Sequence, residues 1–177
     1  MTEVSSMKRI GCLIIILMLV AASGAKGQEF PRATGPSPAG GLFGLGVVVG
    51  EPTGFSAKYW TRSDRALDFA LGASFYSDFR FHATYLFHVD AFNHQRVPLH
   101  YGIGLSLTGK GDRSVVVGGG SVTRRSELGI GPRGSLGVSY LLPNAPFDLF
   151  LEIGATLFVV RPAGLELDLL VGTRFYF

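Results

Sequence analysis

Apolar and polar residues alternate along most of the chain beyond residue 40, and the alternation is clearest in the last stretch, residues 164–177 (GLELDLLVGTRFYF). Its odd positions from Leu165 to Phe177 all suit an apolar environment, whereas its even positions include Glu166, Asp168 and Arg174. Successive side chains of a β-strand point to opposite faces of a sheet. The stretch therefore predicts a strand with one apolar face and one charged face.

Seven earlier segments repeat this pattern, so the sequence predicts eight strands in all. They comprise residues 41–50, 55–60, 67–75, 79–88, 98–108, 128–142, 149–159 and 164–177. Most have about the 9 to 11 residues with which a tilted strand crosses a bilayer. Residues 55–60 must extend into their flanking turns to reach that length. Eight strands also form a barrel whose interior is just filled by side chains.

The charged residues of the predicted strands lie on the face opposite the apolar one. Four are basic and four are acidic: Lys58, Arg80, Arg133 and Arg174, and Asp68, Glu152, Glu166 and Asp168. A surface in bulk water needs no such balance, whereas a closed lumen excludes water and must pair its charges. The alternative is a soluble barrel or sandwich, whose core would absorb every large apolar side chain and leave a glycine-rich, charged exterior. We therefore predict an all-β fold, an eight-stranded antiparallel up-and-down transmembrane β-barrel with a filled, charge-paired lumen.

Aromatic residues support the membrane interpretation because they lie near strand ends on the apolar face, as in interfacial girdles. They are Phe43, Phe55, Tyr59, Phe75, Phe79, Phe87, Tyr101, Tyr140, Phe175 and Phe177. The 25 glycines and 14 phenylalanines also suit a β-rich chain. The net charge of +3 gives no reason to expect nucleic acid as a partner.

The first 27 residues predict a secretory signal peptide. Lys8 and Arg9 precede an apolar run, residues 10–20, that small residues follow and that is too short for a transmembrane helix. Residues 28–40 contain three prolines and predict a flexible lead-in to a barrel domain of residues 41–177. The single cysteine, Cys12, would leave with the signal, so we expect no disulfide or thiolate chemistry in the exported chain.

Three histidines, His82, His88 and His100, share the charged face, but His82 and His88 lie about 20 Å apart along one strand and do not predict a metal site. A hydrolase triad could be assembled from His100, Ser106 and Glu152, although no spacing selects these residues. Residues 129–134 fit GxGxxG without a following helix, which favours glycines that make room in a narrow lumen. We expect no cofactor, no metal and no catalytic residue.

The longest predicted connection begins at Gly109 and ends at Glu127, and we predict it to be irregular, although residues 114–117 could extend strand pairing. It carries a basic patch: Lys110, Arg113, Arg124 and Arg125. The pattern favours a solvated loop; the functional alternative is contact with lipopolysaccharide phosphates or an acidic partner, to which arginine can bind bidentately. If both termini are periplasmic, this longest loop faces outward, as in outer-membrane barrels.

With its export signal, eight alternating strands and a final Phe177 preceded by hydrophobic Phe175, Val171 and Leu169, the chain resembles the small outer-membrane β-barrels. This is the class of the outer membrane protein A transmembrane domain and outer membrane protein X. The segments GLGVVVGEPTGFSAKYW, PLHYGIGL and FDLFLEIGATL resemble a little-characterised bacterial branch of such barrels. The resemblance covers residues 41–177.

The resemblance implies that Phe175 and Phe177 form a signal read by the barrel-assembly machinery, and that the protein lies in the outer membrane among lipid and lipopolysaccharide. It also implies a non-enzymatic role in envelope integrity, adhesion or contact with a host or envelope protein through the loop between Gly109 and Glu127. The other predicted outer loops are short, which argues against an adhesin. Two alternatives are a narrow channel for small solutes and a lipid-modifying outer-membrane enzyme.

Overall fold

The protein is described by a computed structural model that covers residues 41–92, 94, 96–110, 113–117, 120–124, 127–160 and 163–177. The predicted signal peptide and lead-in, residues 1–40, lie outside these described residues. The strands are β1 (Phe43–Gly50), β2 (Thr53–Arg62), β3 (Arg65–Ala73), β4 (Phe79–Val89), β5 (Leu99–Lys110), β6 (Arg113–Val117), β7 (Gly120–Arg124), β8 (Glu127–Leu141), β9 (Phe147–Phe158) and β10 (Gly164–Tyr176). Among the described residues no helix is long and apolar enough to cross a membrane.

Eight of these strands close into a barrel in the order β1-β10-β9-β8-β5-β4-β3-β2, and every pair in it is antiparallel. The barrel closes where β1 pairs with β10, from Gly44 opposite Tyr176 to Gly50 opposite Leu170. The predicted fold, an eight-stranded antiparallel up-and-down β-barrel, is confirmed.

The segment between Gly109 and Glu127, predicted as irregular, is largely paired. The β5–β8 ladder continues to Lys110 opposite Glu127, and β6 and β7 then form a separate two-stranded hairpin. The physical reason is a run of β-branched residues: three valines end β6, and Val122 lies opposite Val115 across the hairpin.

Several strand boundaries also differ from the prediction; β3, predicted over residues 67–75, runs from Arg65 to Ala73. The short second strand begins two residues earlier than predicted, at Thr53, and runs on to Arg62, so it reaches 10 residues. Phe147 and Asp148, predicted in a turn, are the first residues of β9. Because successive side chains of a strand point to opposite faces, this change places Asp148 on the same face of β9 as Phe150 and Glu152.

The barrel has two ends, which we name by what they carry. The terminal end is where β1 begins and β10 ends; the β2–β3, β4–β5 and β8–β9 connections also lie there. The hairpin end carries the β1–β2, β3–β4 and β9–β10 connections, and β5 leads into the β6–β7 hairpin there.

Apolar side chains cover the outside of the barrel, and charged side chains fill its lumen. Phe55, Ile103 and Leu167 are 74%, 70% and 67% exposed. Exposed aromatic residues lie at both ends: Phe43, Tyr59, Tyr101, Tyr140, Phe147 and Phe175 at the terminal end, and Phe55, Phe75 and Phe79 at the hairpin end. This surface is the reverse of a soluble protein's, because the barrel buries its charges and exposes its large apolar groups.

Candidate functional site

Three arginines from three strands reach across the lumen at three depths. Arg174 on β10 lies nearest the terminal end, Arg133 on β8 lies in the middle, and Arg80 on β4 lies nearest the hairpin end. All three side chains are buried. Each guanidinium binds carboxylates of other strands or turns, so each ties distant parts of the barrel wall together.

The Arg174 layer joins four strands. Its guanidinium lies 2.6 Å from Asp68 Oδ1 and 3.5 Å from Asp148 Oδ2, and its Nε donates to Ser56 Oγ at 2.8 Å. The same group stacks 3.7 Å from the centre of the Phe150 ring. Tyr176 closes the layer toward the terminal end, because its hydroxyl donates to Asp148 Oδ2 at 2.7 Å.

Lys58, the fourth basic residue of the lumen, has a different kind of neighbour. It lies opposite Asp68 in the β2–β3 register, but its Nζ donates to His88 Nε2 at 2.9 Å and lies 4.5 Å from the centre of the Trp60 ring. Because an ammonium group only donates, His88 Nε2 must be the acceptor. Trp60 in turn packs 4.3 Å from the His88 ring.

The Arg133 layer occupies the middle of the lumen. Its Nη2 donates to Glu152 Oε1 at 3.0 Å and to Asp168 Oδ1 at 2.5 Å, and its Nη1 donates to Thr84 Oγ1 at 3.2 Å. A side chain at Gly154 would collide with both Arg133 and Asp168. Glycine at this position therefore provides the space in which the ion pair forms.

The Arg80 layer lies at the hairpin end. Its guanidinium is 3.3 Å from Glu51 Oε1, forms an ion pair with Glu166, and lies over the Phe158 ring. Glu51 is held in place from the other side, because the backbone N–H of Phe75 donates to its Oε2 at 2.6 Å. The layer thus joins β4, β10 and two turns.

The structure places all eight residues of the predicted charge network at lumen-facing positions and brings seven of them into the layers described; Lys58 contacts His88 instead. It adds two carboxylates, Glu51 and Asp148, that lie outside the predicted strands. The alternation of side chains could have placed Asp148 in the lumen, because it lies two positions before lumen-facing Phe150. Glu51 could not be placed in this way, because it lies in the β1–β2 turn, where side chains do not alternate between two faces.

The structure does not bring the three residues of the triad candidate, His100, Ser106 and Glu152, together. Ser106 lies six residues from His100 on β5, about 20 Å away, and its hydroxyl donates to the Phe81 carbonyl. His100 instead lies between Glu152 Oε2 at 3.3 Å and Ser139 Oγ at 3.4 Å. His100, Ser106 and Glu152 are all buried inside the lumen, so a lipid would not reach them.

No set of three His, Cys, Asp or Glu side chains in the described part of the chain is placed to hold a metal ion. Residues 129–134, which fit GxGxxG, lie entirely within strand β8. The dinucleotide-binding geometry needs a helix after the glycines, so this segment cannot provide it.

Two residues of the predicted basic patch lie on the hairpin and one lies at the end of β5. Arg113 and Arg124 occupy directly opposite positions at the base of β6 and β7, and Lys110 lies opposite Glu127 at the end of the β5–β8 ladder. Arg125 lies outside the described residues. Like charges at directly opposite positions of a strand pair are destabilising.

The two residues of the predicted assembly signal lie at the seam that closes the barrel. The Phe175 ring packs edge-on against Phe147 and Phe177, with centroid distances of 5.0 Å to each. The backbone N–H of Phe177 donates to the Phe43 carbonyl at 2.9 Å. The aromatic end of the chain is therefore exposed on the outside of the β1–β10 seam.

Comparisons with known proteins support the fold. No protein family matched the sequence, and a search of curated proteins also found no match. The crystal structure of the N-terminal β-barrel domain of Pseudomonas aeruginosa OprF aligns with 77% of this chain and 99% of its own, with a TM-score of 0.54 and 12% identity. Neisserial surface protein A (NspA) aligns over 76% of this chain and 94% of its own, with a TM-score of 0.44 and 20% identity. The chain has the eight-stranded fold of the small outer-membrane β-barrels.

Proposed function

We propose that the protein is an integral outer-membrane β-barrel with a filled lumen and a non-enzymatic role in envelope structure or surface contact. The observation that carries this proposal is a closed barrel whose exterior is apolar with aromatic residues at both ends, while its charges are buried and paired inside. Such a surface is stable only where lipid, not water, surrounds the barrel wall. The predicted signal peptide supports export.

The proposed orientation follows from strand number. Eight strands bring both termini to one side, and in outer-membrane barrels the short turns face the periplasm. The terminal end is then periplasmic, where the barrel-assembly machinery would read Phe175 and Phe177 during insertion. The hairpin end is extracellular, among lipopolysaccharide.

Outer-membrane fractionation combined with heat-modifiable gel mobility tests the location. We expect the protein in the outer-membrane fraction, with an unheated sample migrating differently from a boiled one, because closed barrels resist detergent until they are heated. A protein found soluble in the periplasm would contradict both the location and the membrane orientation.

For the surface contact, we propose that the hairpin binds lipopolysaccharide phosphates through Lys110, Arg113, Arg124 and Arg125. What supports this is the register that places Arg113 opposite Arg124, so that two positive residues share one position along the hairpin. A phosphate between them would relieve their repulsion and accept charge-assisted hydrogen bonds. A host or envelope protein with an acidic surface is the other candidate partner.

Titration of the detergent-solubilised barrel with lipid A tests this contact. We expect the double variant R113Q/R124Q to bind roughly tenfold or more weakly, because hydrogen bonds to charged groups contribute about 1.5–3 kcal/mol each. Binding should also weaken with added salt and with dephosphorylated lipid A. The control R62Q/R96Q removes the same charge from exposed residues of the terminal end. If the hairpin variant, added salt and dephosphorylation all left the affinity for lipid A unchanged, the proposed contact would be excluded.

A further inference from the structure

The terminal end of the lumen is closed by Trp60 and Tyr176, which are 3% and 1% exposed and pack together with Ala66. We call this pair of aromatic side chains the terminal closure. The Trp60 indole lies against two titratable groups. Lys58 Nζ is 4.5 Å from the centre of its ring, and the centroid of the His88 ring is 4.3 Å away. The position of Trp60 in the closure is therefore tied to the contact between Lys58 and His88.

The hydrogen bond between Lys58 and His88 is compatible with only one charge state of the imidazole. Lys58 Nζ donates to His88 Nε2 at 2.9 Å, so Nε2 carries no proton and the single ring proton lies on Nδ1. His88 Nδ1 is buried and has no hydrogen-bond partner among the described residues. A second proton would turn Nε2 into a donor that faces the Lys58 ammonium.

Other charges around His88 also oppose a second proton on its ring. They belong to His100 on β5 and Arg174 on β10, in addition to Lys58 on β2. The ring centroids of His88 and His100 are 5.5 Å apart, so the two imidazoles would repel each other if both were charged. The backbone carbonyl of Asp64 favours the proton, but it already accepts the backbone N–H of His88 at 2.8 Å.

The carboxylates in this part of the lumen are bound to other bases. Glu152 Oε2 lies 3.3 Å from His100 Nε2, and Arg174 forms ion pairs with Asp68 and Asp148. None of the described carboxylates is hydrogen-bonded to His88. The imidazole of His88 is therefore neutral while the lumen is closed.

We propose that the contact between Lys58 and His88 is an acid-sensitive latch on the terminal closure, and that protonation of His88 breaks this contact and releases Trp60 from the lumen. Protonation of the ring is unfavourable inside the closed lumen but ordinary in water, where histidine titrates at about pH 6.5. Acid therefore shifts the population toward an open closure, because the proton binds that state better. The latch requires only the closed barrel and does not depend on the lipopolysaccharide contact.

Acrylamide quenching of Trp60, the single tryptophan of the chain, tests this inference on the refolded, detergent-solubilised barrel. We expect Trp60 to be shielded from acrylamide at about pH 8 and increasingly accessible down to about pH 5, the range over which histidine changes its charge. The accessible fraction should rise by up to about tenfold for each pH unit, because one proton is taken up on each opening. Neutralisation should restore the shielding, and the heat-modifiable form should persist throughout.

Two histidine variants separate the latch from a general effect of acid on the lumen. His88→Gln should remove the pH dependence, because a glutamine amide oxygen can accept the hydrogen bond from Lys58 but takes up no proton. His82→Gln is the matched control and should leave the dependence unchanged. His82 is also a buried histidine of β4, but it lies six residues from His88, about 20 Å along the strand.

Lys58→Met provides a second test if His88→Gln fails to fold. His88 then has no ammonium group beside it to repel a proton, so the rise in accessibility should be several-fold smaller.

The inference would be overturned if Trp60 of the unaltered barrel stayed shielded in acid, or if His88→Gln kept the full pH dependence. Equal losses of pH dependence in His88→Gln and His82→Gln would overturn it as well. If the heat-modifiable form disappeared together with the shielding of Trp60, acid would unfold the whole barrel, and this would also contradict a local latch.

Discussion

Arg174 shows how a single lumen residue can hold the barrel wall together. Its guanidinium bonds to residues of β2, β3 and β9 while it lies against the Phe150 ring, so one side chain on β10 contacts three other strands. Lysine could not replace it, because an ammonium group lacks the planar fork that binds two carboxylates and stacks on an aromatic ring. Removing such a group leaves its partners charged and buried.

We expect Arg174→Met to destabilise the barrel by about 3–5 kcal/mol, the cost of breaking a buried ion pair on one side. Adding Asp68→Asn and Asp148→Asn to this variant should recover much of the loss, because the two carboxylates that Arg174 contacts are then neutral. Urea unfolding in lipid vesicles measures the effect through the fluorescence of the single tryptophan, Trp60, which is buried in the folded barrel.

The exposed Arg62→Met serves as the control for the Arg174 series and should change stability little. If the triple variant were as unstable as Arg174→Met, unpaired charge would not be the cause of the loss. The stacking on Phe150 and the hydrogen bond to Ser56 would then account for it.

At the scale of strands, the period of two predicted the fold and the face of each residue, because these depend only on local geometry. Composition was a poorer guide to strand ends. Asp148 follows two prolines and lies just before the predicted strand of residues 149–159, although cross-strand pairing with Arg174 places it in β9. The sequence did not predict the β6–β7 hairpin as a regular element, because its glycines favour an irregular loop whereas its valines favour strands.

The contacts inside the lumen could not be predicted in the same way. The alternation along a strand shows which face a residue occupies, but it does not show the depth of that residue in the lumen or its partner across the barrel. Lys58 lies beside Asp68 in register yet donates to His88, and Arg174 takes Asp68 instead. Which carboxylate pairs with which base is decided by strand stagger and side-chain length, and neither can be read from one sequence.

One strand interior departs from regular pairing. Pro132 lies on the outer face of β8, and the assigned β8–β9 ladder begins only at Arg133 opposite Thr156. The same register continues past it, since the backbone N–H of Val159 donates to the Ile130 carbonyl at 3.0 Å. Proline has no N–H to donate, so one ladder hydrogen bond between β8 and β9 is lost next to Arg133.

For the molecule as a whole, the order of the layers along the lumen decides between a filled barrel and a narrow channel. The Arg80, Arg133 and Arg174 layers lie in series, and Trp60 and Tyr176 add a further closure at the terminal end. A solute would have to break every layer in turn, each of them a buried ion pair.

We accordingly expect no sustained conductance from the purified barrel in planar bilayers, with a large porin in the same bilayer as the positive control. The double variant Trp60→Ala/Tyr176→Ala opens the terminal closure but leaves the arginine layers in place, so it should remain non-conducting. Steady conductance of the unaltered barrel would favour the channel alternative. Conductance of the double variant alone would show that the aromatic closure, not the ion-paired layers, is the barrier, and the lumen would then be a pore that the Trp60 and Tyr176 side chains block.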